Sequence, residues 1–120
     1  MAAKYQGLIV FLGVRDLEAT DRFYSGLLGL KLWKDQEVCR IYEVPGGGRL
    51  GFCTHLPVTP AEGNPIITLL SADVDADYAR LQQGGCAPLH PPRENSRFGI
   101  YHFFVRDPDG YLLEIQHFLD

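Results

Sequence analysis

The stretch FFVRDPDGYLLEIQHF, residues 103–118, decides the fold of this chain. Two apolar runs flank Asp107-Pro108-Asp109-Gly110. Asp107 suits the first position of a type I turn and Pro108 presets φ at the second. Gly110 supplies the left-handed residue that closes a three-residue loop with a bulge. The spacing predicts a β-hairpin of Ile100–Arg106 and Tyr111–Phe118. In that register Asp107 lies opposite Tyr111, Glu114 opposite Phe104 and Gln116 opposite His102. One face of the hairpin then carries a carboxylate and an imidazole inside otherwise apolar strands. A buried carboxylate is costly unless paired or hydrogen-bonded. Glu114 therefore needs a partner: His102, Arg40, Tyr42 or a ligand.

Composition bounds the rest. The 120 residues fit one domain, and 46% hydrophobic with 22% charged residues is an ordinary globular balance. The net charge is −4 with no Lys/Arg run, which argues against nucleic acid or an anionic membrane as partner. No apolar run reaches the length of a membrane span, and the start MAAKYQG lacks a signal-peptide core, so a cytoplasmic location is expected. Cys39, Cys53 and Cys86 are odd in number and form no C-x-x-C pair. Reduced, mostly buried thiols are expected of them, and their spacing is poor for zinc.

Upstream of the hairpin the chain falls into two similar halves. Leu8–Leu12 reads as a strand ending near Val14. Asp16 is a good N-cap, and Leu17, Phe23, Tyr24, Leu27 and Leu28 recur at helical spacing over 17–27. Gly29 sits where a helix C-cap belongs. Leu30–Trp33, Val38–Val44 and Leu50–His55 read as three strands, with Pro45-Gly46-Gly47-Gly48 turning between the last two. Residues 57–65 are rich in proline and read as a linker. The order then recurs: a strand at Ile66–Leu70, a helix capped by Asp73 or Asp75, a short strand at Cys86–Leu89, a polar loop at 90–98, and the hairpin. The capping Asp16 and Asp73 lie 57 residues apart, and the turn glycines Gly48 and Gly110 lie 62 apart. The expected organisation is α+β: two tandem βαβββ modules, about 5–56 and 66–120, within a single domain.

This pattern resembles the vicinal oxygen chelate superfamily of glyoxalases, bleomycin-resistance proteins and extradiol dioxygenases. The matching residues are Val14-Arg15-Asp16-Leu17, Phe23-Tyr24 and Leu28-Gly29-Leu30 in the first half. Asp107-Pro108-Asp109-Gly110 and Glu114 match in the second. The resemblance implies a curled, cup-shaped mixed sheet with helices outside and, in metal-dependent members, a divalent ion held from the first and last strands of each half. Carried over residue by residue, those positions are Ile9, Phe52, Ile66 and Glu114. Only Glu114 could bind a metal, so no metal and no cofactor is expected. A displaced site would have to use Glu114, His102 and His55 or Cys53.

Transferring the hairpin register by 62 residues places Arg40, Tyr42 and Phe52 on the face equivalent to that of His102, Phe104, Glu114 and Gln116. The first strands add Ile9, Phe11, Ile66, Thr68 and Leu70. Arg40, Tyr42, Phe52, Phe104 and Gln116 are the candidate ligand-binding residues, with the aromatics positioned to sandwich a planar ring. The expected function is metal-free binding of an aromatic or amphipathic small molecule by a homodimer. The alternative is a lyase, isomerase or dioxygenase of the same superfamily, with His102 and Glu114 as acid and base or with a displaced metal.

Overall fold

The computed structural model describes residues 3–120. The chain divides into two compact units, one running to Thr59 and the other spanning Pro60–Asp120. Each is a βαβββ module. The first contains β1 (Ile9–Gly13), α1 (Leu17–Asp21) and a π-helical continuation over Arg22–Leu27, then β2 (Lys31–Asp35), β3 (Cys39–Glu43) and β4 (Arg49–Cys53). The second contains β5 (Ile67–Leu70), α2 (Val74–Gln83), β6 (Arg93–Asn95), β7 (Ile100–Arg106) and β8 (Leu112–Phe118). Each module forms a four-stranded mixed sheet, in the orders β1-β4-β3-β2 and β5-β8-β7-β6. The first strand of each runs parallel to the last, and the remaining pairs are antiparallel. Among the described residues no helix is long and apolar enough to cross a membrane.

Local chemistry explains the elements. Asp16 caps α1 by accepting the Glu18 amide, and Asp73 caps α2 by accepting that of Ala76. The helix expected over 17–27 widens after Asp21, where the Leu28 amide bonds the Phe23 carbonyl five residues back. That wider turn sends consecutive residues Phe23 and Tyr24 into the core. Gly29 then closes it at φ +75°. In β2 the register shifts between Leu32 and Lys34, leaving Trp33 as a bulge whose ring lies 4.0 Å from the Arg49 guanidinium.

The second hairpin forms in the expected register, with Phe104 opposite Glu114 and His102 opposite Gln116. The Asp107 amide donates to the Tyr111 carbonyl at 3.0 Å, and Gly110 takes φ +93°. Asp107 Oδ1 also accepts the amides of Asp109 and Tyr111, both at 2.9 Å. One expected strand is displaced. The third element of the second module lies at Arg93–Asn95, not Cys86–Leu89, because Arg93 and Asn95 pair with His102 and Ile100 on β7.

The transfer between halves is out by one residue. Glu43 and Arg49 close the first hairpin as Arg106 and Leu112 close the second, so counterparts lie 63 apart (43 to 106, 49 to 112). Aligning Gly48 with Gly110 misleads because VPGGG offers three glycines, and the counterpart of Gly110 is Gly47, one place before Gly48, which matches Tyr111. A one-residue slip moves every side chain to the other face. Arg40, Tyr42 and Phe52 accordingly point to the helix side of the first sheet. Arg40 pairs with Glu18 at 2.8 Å, Tyr42 donates to Asp21 at 2.6 Å, and Phe52 stacks on Tyr24 with ring centroids 4.3 Å apart. In the second unit Phe103 meets Tyr78 of α2 edge-on, with ring centroids 5.3 Å apart.

Candidate functional site

The open face of the second sheet gathers His102 and Phe104 from β7, Glu114 and Gln116 from β8, and Thr68 from β5. The ladder pairs Thr68 with Glu114 and His102 with Gln116, which brings the polar groups together. His102 Nδ1 lies 2.8 Å from Glu114 Oε2, and Thr68 Oγ1 donates to Glu114 Oε1 at 2.9 Å. The Gln116 carboxamide, with its nitrogen toward Glu114, lies 3.2 Å from both carboxylate oxygens. His102, Glu114 and Gln116 are all buried. The carboxylate is therefore a satisfied acceptor in an apolar sheet, as its burial requires.

This geometry fixes the imidazole. An ionised carboxylate only accepts, so Nδ1 of His102 carries the proton that Glu114 receives. In the neutral ring Nε2 then keeps its lone pair, able to accept a hydrogen bond or a proton. The same carboxylate steadies the ring orientation, as carboxylates behind functional histidines generally do.

Above this floor lies a cavity of about 390 Å³. Its walls include Ile66, Asn95, Phe98, Ile100, Phe104 and Phe118. Phe98 is 61% exposed, Phe118 51% and Ile66 42%, so the rim is apolar and open while the floor is polar and buried.

The sequence reading missed His90. Its ring packs edge-on against both His102 and Phe104, with centroids 5.7 and 5.8 Å away. His90 Nδ1–H donates to the Pro91 carbonyl at 2.8 Å, which leaves Nε2 buried without a hydrogen-bond partner. Nothing in the loop HPPRENSRF has a period that would place one residue on the sheet, so only the histidine itself was a signal.

Of the expected ligand contacts, Phe104 and Gln116 join His102 and Glu114 here, while Arg40, Tyr42 and Phe52 are engaged against α1 and its continuation. Burial and the hydrogen bond to Asp21 raise the Tyr42 pKa well above its usual value, so its hydroxyl stays a neutral donor to Asp21. The cysteine expectation also needs correction. Cys39 and Cys53 stand directly opposite each other in β3 and β4 with Cα atoms 4.1 Å apart, and are joined as a disulfide. Only Cys86 is a free thiol. The pairing was hidden because it follows from hairpin register rather than from a local cysteine motif.

The residues do not fit the divalent ion that the resemblance implies. Phe11 pairs with Gly51 as Thr68 pairs with Glu114, so Gly51, not Phe52, is the counterpart of Glu114. Ile9, Gly51 and Ile66 offer no side-chain donor, and both oxygens of Glu114 are engaged by Thr68, His102 and Gln116. A divalent ion held by this set would lack the O, N or S ligands it needs.

Comparison with known proteins agrees with the fold. A crystal structure of a glyoxalase/bleomycin resistance protein/dioxygenase from Nocardioides superposes with a TM-score of 0.75 at 21% identity, covering 100% of this chain and 87% of that one. TioX from Micromonospora sp. ML1 superposes with a TM-score of 0.77 at 22% identity, covering 94% and 98%. A protein of the same description from Alicyclobacillus acidocaldarius gives 0.76 at 21%, covering 100% and 96%. No curated protein sequence matches the chain. The family model of the Glyoxalase/Bleomycin resistance protein/Dioxygenase superfamily matches residues 8–115. With two βαβββ modules and this match over nearly its whole length, the chain belongs to the glyoxalase/bleomycin resistance protein/dioxygenase superfamily.

Proposed function

We propose that the protein binds a small planar organic molecule over the second sheet, without a metal ion. The observation that supports this reading is the layering of the cavity: exposed Ile66, Phe98 and Phe118 surround a buried, hydrogen-bonded floor of His102, Glu114 and Gln116. An apolar wall with a few fixed polar groups favours a ring system oriented by one or two hydrogen bonds. Phe104 and Phe98 supply faces and edges for the ring. His102 Nε2 accepts from a hydroxyl or N–H of the ligand. The anionic Glu114 beneath it favours neutral or cationic compounds over aromatic carboxylates.

Calorimetric titration of phenols, indoles, aromatic amines and aromatic carboxylates tests this. Saturable binding by donor-bearing neutral or cationic rings is expected, weakened roughly tenfold by Phe98→Ala, since an aromatic contact contributes about 1 kcal/mol beyond its buried area. If no class binds, or if Phe98→Ala and Gln116→Leu bind as the unaltered protein does, the reading fails.

One observation favours a second reading. The 2.8 Å His102–Glu114 contact is the arrangement of a general base held by a carboxylate. In that reading His102 Nε2 removes a proton from a carbon acid bound in the same cavity. Exchange of solvent deuterium into an enolisable aromatic ketone, abolished by His102→Gln, would establish it; no exchange with any ligand that binds would reduce the site to a binding one.

A further inference from the structure

The face of the first sheet that corresponds to the His102 site carries different chemistry. At the 63-residue spacing Cys39 is the counterpart of His102, Cys53 of Gln116 and Gly51 of Glu114. The Thr54 amide donates to the Val38 carbonyl at 2.8 Å, just outside the Cys39–Cys53 pair. The pair therefore occupies a non-hydrogen-bonded ladder position, where facing side chains come closest. Two residues past Cys53, His55 turns back so that its Nδ1 lies 3.7 Å from Cys39 Sγ. The two sulphurs and a ring nitrogen of His55 all lie within 4.8 Å of one another. Both cysteines are buried while His55 is exposed, so the cluster has a solid base and a solvent-facing side.

Two thiolates and an imidazole are a donor set for a borderline cation of tetrahedral preference. Zinc takes Cys sulphur at about 2.3 Å and His nitrogen at about 2.0–2.1 Å, so its ligand atoms sit roughly 3.3–3.8 Å apart. The 3.7 Å between Cys39 Sγ and His55 Nδ1 already meets that spacing. Reduction of the disulfide frees the sulphurs to separate by side-chain rotation on a fixed ladder.

We propose that Cys39, Cys53 and His55 form a redox-gated zinc site. As the disulfide the pair has no thiolate to offer and takes no metal. A dithiol reductant opens it, supplying two electrons and two protons and itself becoming a disulfide. Zn²⁺ then binds as both thiols release their protons to solvent, giving a neutral S₂N centre with a water in the fourth position. The cluster belongs to the first unit, whereas the His102–Glu114 floor belongs to the second.

The test uses the full chain, reduced with dithiothreitol and freed of it without oxygen, and titrated with Zn²⁺ alone by calorimetry and chelator competition. One equivalent is expected, with two protons released. Binding should fall at least about a hundredfold in the disulfide form and in Cys53→Ser, and at least about tenfold in His55→Ala. His55 is exposed, so that variant keeps its fold and separates ligand loss from misfolding; far-ultraviolet circular dichroism checks both variants. With Co²⁺ in place of Zn²⁺, thiolate-to-cobalt charge-transfer absorption should appear only in the reduced form. No zinc binding by the reduced protein, undiminished binding by the disulfide form or by either variant, or binding lost in Glu114→Gln but kept in Cys53→Ser would overturn the proposal.

Discussion

Glu114 receives hydrogen bonds from a hydroxyl, an imidazole and a carboxamide, so removing it strands three groups at once. Glu114→Ala should lower stability by roughly 3 kcal/mol, because breaking a buried pair leaves its partners uncompensated; urea denaturation reads this as a lower midpoint at an unchanged slope. Thr68→Val, which removes a single neutral bond, should cost only about 1 kcal/mol. Tyr42 carries the clearest pH signature. Burial first, and the bond to Asp21 second, raise its folded pKa above the unfolded value. Its stability contribution is thus fully present below pH of about 10 and is lost as pH climbs toward the folded pKa. Tyr42→Phe should flatten the alkaline decline in melting temperature, and an unchanged decline would show that other groups govern it.

At the scale of elements, the turn chemistry was the most legible part of the sequence. Asp107, Pro108 and Gly110 each have one local job, and together they set the β7–β8 register that brings His102 to Glu114. Asp107→Ala leaves two buried amides, those of Asp109 and Tyr111, without their acceptor and should cost about 2–4 kcal/mol. Thermal denaturation checks it; a loss below about 1 kcal/mol would mean that the loop backbone holds itself. The first hairpin was harder to read. VPGGG offers three glycines, and choosing the wrong one shifts Arg40, Tyr42 and Phe52 to the wrong face. The helix contacts of Glu18, Asp21 and Tyr24 decide that facing, and they are tertiary, beyond any local spacing. The π-helical turn after Asp21 and the short β6 escaped for the same reason: pairing and packing made them, not propensity.

For the molecule as a whole, duplication accounts for what was and was not visible. The two βαβββ modules and the family follow from capping residues, turns and strand order, which repeat along the chain. The chemistry does not repeat. Equivalent ladder positions hold His102, Glu114 and Gln116 in one module and Cys39, Gly51 and Cys53 in the other, so only the second sheet presents a hydrogen-bonded polar floor beneath an apolar rim. His90 belongs to that floor by packing alone. The central claim is that this floor receives a planar organic ligand. It is tested most directly by two-dimensional NMR titration of the whole protein with the aromatic compounds named above. The expected result is saturable shifts of the His102 imidazole and of Phe98, Phe104 and Gln116, with His102 Nδ1 still protonated toward Glu114. Saturable shifts that spare these residues, or no saturable shift with any compound class, would contradict it.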